Sequence, residues 1–295
     1  MPERRLPAEV RERLRAVRGF VFDMDGTLVL GDRRNHALRP LPGAIDITDR
    51  LAERGVPYVV VTNGTTRTPQ EYAETLRTIG FDIEDDEVIT PAVSAVDVFA
   101  RRGHRRVLVL GNEGLIHPMW GAGIEVVAPT GRPTADAVLV GWYPEFTMPA
   151  LEAACHAVWN GAALYSCSQS MFFATADGRM LGTSRAISAM IMSLTGCDVE
   201  VVGKPSLHAL RCAADRLGAS PPDLAVVGDD PELEVPMAHL GDALAIAVST
   251  GIGGADDFAG LPEGARPHLR LEGVDDLLSL LPPLPPPAAG RPRRR

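Results

Sequence analysis

Asp23 and Asp25 stand two residues apart at the end of an apolar run, in the segment GFVFDMDGTL. Side chains two apart on an extended chain project to the same side, so the two carboxylates meet where a strand would end. Gly26 then lets the chain turn away tightly. Three later segments carry groups that suit the same place. The run VVVTNG ends in Thr62, Asn63 and Gly64, a hydroxyl and main-chain N–H groups ahead of a helix expected near Pro69, which makes an anion site. VEVVGKPS delivers Lys204 directly before Pro205, where a helix is expected to begin, and a lone ammonium there suits phosphate as a point charge. LAVVGDD ends another apolar run in Asp229 and Asp230. Each piece alone has an ordinary structural explanation, such as a surface Asp-Gly turn. Together they offer hard oxygen ligands for Mg²⁺, a phosphate clamp, and a carboxylate nucleophile beside a second acid.

Such groups converge only if their strands lie side by side. Short apolar runs recur at 19–22, 58–61, 107–110, 137–140, 224–227 and 243–248, separated by longer segments of helical period. This is the βαβ rhythm of a parallel sheet. Runs such as YVVV and LAVV are apolar on both faces, as strands between two helix layers must be. The expected fold class is therefore α/β, a doubly wound Rossmann-like parallel sheet. Ligands bind such sheets beyond the C-terminal strand ends. Helices are expected after Pro42, Pro69, Pro91, Pro149, Pro205 and Pro231, because proline suits a first helical turn.

The chain has 295 residues, 45% hydrophobic and 23% charged, with a net charge of −9. Six arginines lie in residues 1–18 and four in 291–295, so the body between is more acidic than the whole. An acidic body repels a phosphate backbone, which argues against a nucleic-acid partner. No apolar run approaches the ~20 residues of a membrane span. The N-terminus lacks the apolar core of a secretion signal, and a cytoplasmic home is expected. Cys155, Cys167, Cys197 and Cys212 show no paired spacing and read as reduced, mostly buried thiols. The seven histidines show no metal-ligand spacing. STGIGGADD near Gly251 does not form G-x-G-x-x-G and reads as a loop beside the site. The Pro- and Arg-rich segment 282–295 cannot build a core and is expected to be a disordered tail.

The ordered set DxDGT, a strand ending in Thr, a Lys and then GD resembles the haloacid dehalogenase superfamily. VTNG with TRTP, ITPA, VLVLGNEG and VVGKPS are similar to its subfamily IIA, which includes NagD-type nucleotidases and para-nitrophenyl, phosphoglycolate and pyridoxal phosphate phosphatases. The resemblance implies a discontinuous core domain at 19–103 and 201–281 interrupted by an α/β cap domain at 104–200. It implies a phosphatase acting on a small phosphorylated metabolite. Asp23 would be the nucleophile, Asp25 the general acid and base, and Thr62, Asn63, Gly64 and Lys204 the phosphate holders. Asp23, Asp25 through its main-chain carbonyl, and Asp229 would hold Mg²⁺. Relatives often dimerise through the cap, so the resemblance leaves a homodimer open; the segments near Trp120, Trp142 and Trp159 could serve such an interface but are read in preference as cap core.

Three departures from the family pattern stand out. Asn63 is followed by Gly64 where relatives usually carry a second Asn. Glu234 stands where relatives commonly have an Asp after the GD motif, and with Asp230 nearby either carboxylate could support the metal shell or Lys204. The cap segment FFATADGRMLGTSRAI is short, with Ala176 in place of an Asn or Asp reaching the site; Asp177, Arg179 and Arg185 there could meet a charged leaving group or be a solvated face. Two other readings share the motif set. A phosphotransferase or phosphomutase would pass the same aspartyl-phosphate to an acceptor, and a non-catalytic scaffold would merely hold Mg²⁺. The intact DxDGT speaks against the scaffold, since a pure binder needs no acid at Asp25.

Overall fold

The strand Gly19–Asp23 is buried along its whole length and hydrogen-bonds to a parallel neighbour on each side, Leu224–Gly228 and Tyr58–Val61. The computed structural model, which describes residues 6–31, 38–175 and 178–281, extends this into a six-stranded parallel sheet. Its spatial order is Leu269–Leu271, Leu244–Val248, Leu224–Gly228, Gly19–Asp23, Tyr58–Val61 and Val88–Ile89. Of the strands in this sheet, the three earliest in the chain run outward one way starting at Gly19–Asp23, and the three latest run the other way. The chain order therefore reverses at this strand, which opens a crevice beyond its C-terminal end.

Period-two alternation divides the side chains of this sheet between two layers. Phe20, Phe22, Val60, Val227 and Ile246 meet helices on one face. These include Ala8–Ala16, Ala44–Glu53, Pro69–Thr78 and Val274–Leu280. Val21, Val59, Val61, Val226 and Ala245 meet Leu207–Leu217 and Glu234–Leu240 on the other. A strand apolar on both faces gains burial on both, at about 1.5–3 kcal/mol for each large side chain removed from water.

A second parallel sheet takes the residues between, in the order Val199–Val201, Ala163–Ser166, Ala137–Val140, Arg106–Leu110 and Glu125–Val127. Helices Glu113–Gly121 and Met148–Trp159 cover opposite faces of it, with Thr183–Thr195 beside the latter. An antiparallel hairpin, Phe172–Thr175 with Gly178–Leu181, stands apart from both sheets. The helix Pro91–Arg102 joins the two halves. It buries Ala92, Ala95, Val98 and Phe99 against the second sheet, while Arg101 pairs with Asp215 of Leu207–Leu217 at 2.7 Å. Arg102 and Glu200, one on each connection between the halves, form a two-point ion pair at 2.5 and 2.8 Å.

The helix expected at Pro205 begins at Leu207, because Ser206 accepts the Ala209 N–H at 3.2 Å and so becomes the N-cap. The helix expected after Pro149 begins at Met148 with Thr147 as its cap. Trp120 and Trp159, read from the sequence as cap core, are instead 57% and 58% exposed on outer helix faces. Cys155, Cys167, Cys197 and Cys212 are free, and all but Cys197 are buried. Among the described residues no helix is long and apolar enough to cross a membrane. The segment 282–295, Ala176 and Asp177 lie outside the described residues, as does the side chain of Arg179.

Candidate active site

Asp23 ends the central strand, so its side chain emerges at the crevice, and it is 6% exposed. Lys204, 181 positions later, donates from Nζ to Asp23 Oδ1 in a short contact and lies 2.7 Å from Glu234 Oε1. One ammonium is thus held between two buried carboxylates. Its position is set from the main chain. Asn63 Oδ1 accepts the Lys204 N–H at 2.8 Å, and Asn63 Nδ2 donates to the Lys204 carbonyl at 3.0 Å. Both amide atoms of Asn63 are engaged in this way, so what Asn63 offers an anion is its main chain rather than its side chain.

Thr62 continues the neighbouring strand, its N–H bonded to the Ile89 carbonyl at 3.0 Å. Its hydroxyl oxygen accepts the Gly64 N–H at 3.0 Å, which leaves the Thr62 O–H to donate. Just beyond, Thr68 and Glu71 form a reciprocal capping box that starts the helix Pro69–Thr78. Asp25 sits half-buried in the turn after the central strand, with its main chain bridged to Val29.

Asp229 follows Leu224–Gly228 and is 2% exposed. Its Oδ2 accepts the Ile252 N–H at 2.6 Å, and its carbonyl accepts the Gly253 N–H at 2.9 Å. A Cβ on Gly251 would lie 1.9 Å from Asp229 Oδ2, and one on Gly26, where φ is +86°, would lie 2.5 Å away. Only glycine at both positions lets the two loops close over this carboxylate. Thr250 then ties them together by donating to the Gly26 carbonyl at 2.6 Å. STGIGG thus does flank the site, as its sequence suggests. Its contribution is main-chain N–H groups, signalled only by a Gly-rich run after a strand.

The two carboxylates left open by the sequence separate cleanly. Glu234 opens the helix Glu234–Leu240, faces Lys204 with Oε1 and accepts the Asp230 N–H with Oε2 at 3.0 Å. Asp230 accepts the Glu232 N–H at 2.7 Å and so shapes its own turn. Gly228 makes room for the longer side chain, since a Cβ there would lie 2.1 Å from Glu234 Cγ. Arg185, read from the sequence as either a leaving-group contact or part of a solvated face, donates to the Gln169 carbonyl at 2.9 Å from an exposed position.

Four carboxyls surround a single buried ammonium, and their electrostatics record the imbalance. Burial, then the charges of Asp23 and Glu234, push Asp229 up to about 8. Burial and Glu234 push Asp230 up to about 6. Asp23 and Glu234 are also raised, by burial first, with Lys204 opposing. Burial alone would lower Lys204, but the two carboxylates outweigh it and keep the ammonium charged. Asp23 Oδ2 is buried without a hydrogen-bond partner. An unpartnered carboxylate oxygen in a pocket short of positive charge fits a hard divalent cation with oxygen ligands. Among the described residues no three His, Cys, Asp or Glu side chains gather at metal-binding spacing. A cation here would therefore rest on Asp23, Asp229 and a carbonyl, with water or substrate completing the shell, as Mg²⁺ prefers.

The second sheet presents its C-terminal strand ends to this crevice. The Trp142 N–H donates to Thr65 Oγ1 at 3.0 Å. A Cβ on Gly114 would lie 2.4 Å from the Thr65 carbonyl, and one on Gly203 would lie 2.1 Å from the Cys167 carbonyl. Residues that follow three strands of the second sheet thus press on the turn after Thr62 and on the approach to Lys204.

A haloacid dehalogenase-like hydrolase profile matches residues 20–125, and a second HAD-hydrolase-like profile matches 201–277. The chain is 28% identical to chronophin of Rattus norvegicus, with 97% of this chain and 94% of the relative covered. It is 28% identical to the acid sugar phosphatase of Staphylococcus epidermidis, covering 81% and 89%. Among solved structures, p-nitrophenyl phosphatase from Archaeoglobus fulgidus superposes with a TM-score of 0.80 at 28% identity, covering 90% of this chain and 99% of that one. NagD from E. coli K-12 superposes with a TM-score of 0.77 at 25% identity, covering 88% and 98%. With its two profile matches falling on the segments that build the six-stranded sheet and its crevice, the chain belongs to the haloacid dehalogenase-like hydrolases.

Proposed function

We propose that the protein is a Mg²⁺-dependent phosphomonoesterase that hydrolyses a small phosphorylated metabolite through a phosphoryl group carried covalently on Asp23. The observation that carries this reading is Lys204 paired to both Asp23 and Glu234 beside Asp229, at the strand ends where the chain order reverses. The names of two relatives, an acid sugar phosphatase and a p-nitrophenyl phosphatase, support the same class of reaction.

In this reading the Thr62 hydroxyl, the main-chain N–H of Asn63 and Lys204 orient the phosphoryl group in line with Asp23, while the Gly64 N–H holds the Thr62 hydroxyl oxygen in place. A carboxylate oxygen of Asp23 attacks phosphorus, and the ester P–O bond breaks. Asp25 gives its proton to the departing oxygen, so the leaving group departs as an alcohol. Asp25, now a carboxylate, takes a proton from water as that water attacks the phosphoryl-Asp23. The P–O bond to Asp23 breaks, and inorganic phosphate is released with both carboxyls restored. Mg²⁺, when held by Asp23, Asp229 and the Asp25 carbonyl, supplies the positive charge that lets an anionic nucleophile approach an anionic phosphoryl group. Glu234 keeps Lys204 from collapsing wholly onto the nucleophile. The unit built on residues 104–200 acts as a cap over the leaving group, and the core is made of 19–103 and 201–281. The proposal includes a cytoplasmic home and leaves a homodimer open; the acidic body of the chain supports the absence of a nucleic-acid partner.

Purified protein is expected to release phosphate from p-nitrophenyl phosphate with Mg²⁺ and to stop when EDTA is added. Asp23→Asn should lower the rate by more than about 10³-fold while the melting profile stays cooperative. Full activity of that variant would remove Asp23 from the nucleophile role.

A further inference from the structure

The turn Thr62–Asn63–Gly64 has no side chain at its third position, and another residue fills the space. A Cβ built on Gly64 would lie 2.1 Å from Tyr72 Oη, 2.8 Å from Tyr72 Cζ and 3.3 Å from Thr62 Oγ1. The phenol tip of Tyr72 and the hydroxyl of Thr62 therefore flank one point beside the proposed phosphate turn. Tyr72 is 4% exposed, the same as Thr62, so both side chains are buried next to the turn. Tyr72 lies just after the capping box of Pro69–Thr78, which fixes where the ring starts, and the Arg67 guanidinium stands 5.9 Å from its ring centroid. The side chain of Thr66 hydrogen-bonds the phenol. A phenol oxygen can accept that bond and still donate its own proton. Burial, then the charge of Asp25 among other groups, raises its pKa, so it stays protonated at neutral pH.

We propose that Tyr72 Oη is a further phosphate-binding group of this site, donating to a phosphoryl oxygen at the 62–64 turn in place of a side chain at position 64. The inference rests on the phosphatase reading. It accounts for how Gly64 can stand where a second amide is expected: the donor arrives from the following helix instead of the turn itself.

The test is the KM for p-nitrophenyl phosphate and the inhibition constant of inorganic phosphate, measured with Mg²⁺ on the wild type, Tyr72→Phe and Thr66→Val. Tyr72→Phe keeps the ring and removes only the donor. It should raise both constants together by about tenfold, with a smaller change in kcat, as loss of one hydrogen bond to a charged acceptor would. Thr66→Val should leave both within twofold. An unchanged phosphate constant in Tyr72→Phe overturns the proposal. So does a Thr66→Val effect as large as that of Tyr72→Phe, since the hydroxyl would then serve only to hold the loop. Should Tyr72→Phe not fold, Gly64→Ala is the second variant. Its Cβ must displace the phenol tip, and an unchanged phosphate constant there also overturns the proposal. A wild type that neither hydrolyses the ester nor binds phosphate overturns the phosphatase reading itself, a result distinguishable from the others.

Discussion

Replacing Asp229 by Asn should make the metal-free protein more stable, and the gain should depend on pH. Burial and the neighbouring charges of Asp23 and Glu234 push this carboxyl up to about 8 from an ordinary value of 3.8. A carboxyl whose folded-state pKa is raised stabilises the fold fully only below about pH 4, and that contribution drains away as pH rises to about 8. At ~1.4 kcal/mol per pH unit, ~4 kcal/mol is lost between pH 4 and pH 7. Asp23 and Glu234 compete for protons in the same cluster, so the share assigned to Asp229 alone is ~2–4 kcal/mol. The substituted amide cannot ionise and keeps an oxygen to accept the Ile252 N–H. In EDTA at pH 7 the variant should melt about 5–10 °C above the wild type, and near pH 4.5 the gap should shrink to about 1–2 °C. Saturating Mg²⁺ should raise the wild-type Tm by mass action and leave the variant nearly unmoved. A variant that melts at or below the wild type in EDTA at pH 7, or a gap of equal size at both pH values, refutes the charge-imbalance argument.

Two substitutions probe the Lys204–Glu234 pair from different sides. Gly228→Ala brings a Cβ to 2.1 Å from Glu234 Cγ, so the side chain must move off Lys204; a stability loss of ~2–3 kcal/mol in denaturant melts and at least a tenfold fall in kcat are expected. Glu234→Gln keeps an acceptor for Nζ but removes the charge, so Lys204 pairs with Asp23 alone; kcat should drop about 10- to 100-fold with Tm within about 3 °C of wild type. Wild-type turnover in both variants would mean that Glu234 only fills space.

Much of the architecture is written in local pattern. The runs YVVV, LAVV and GFVFD are apolar at every position up to the terminal Asp, which suits only strands covered on both faces, and they form a parallel sheet between helix layers. The short strands Val88–Ile89 and Val199–Val201 escape such reading, because two or three residues carry no period. Trp120 and Trp159 depart from expectation because an aromatic side chain signals burial only if its helix face turns inward, and theirs turn outward.

For the site, residue type and order are enough to single out Asp23, Asp25, Thr62, Lys204 and Asp229, since an acid pair after an apolar strand and a Lys before Pro are visible in a linear string. Partnership is not visible there. Asp23 and Lys204 meet across 181 positions, the Asn63 amide is consumed by the Lys204 main chain, and Tyr72 reaches the room beside Gly64 from the next helix. Gly251 carries no chemistry of its own, yet its missing Cβ is what lets a loop close on Asp229. Periodicity and motif spacing are properties of neighbours along the chain, and so they determine elements and candidate groups. Which carboxylate faces which cation depends on strand register and helix packing between distant segments, and only the folded chain decides that.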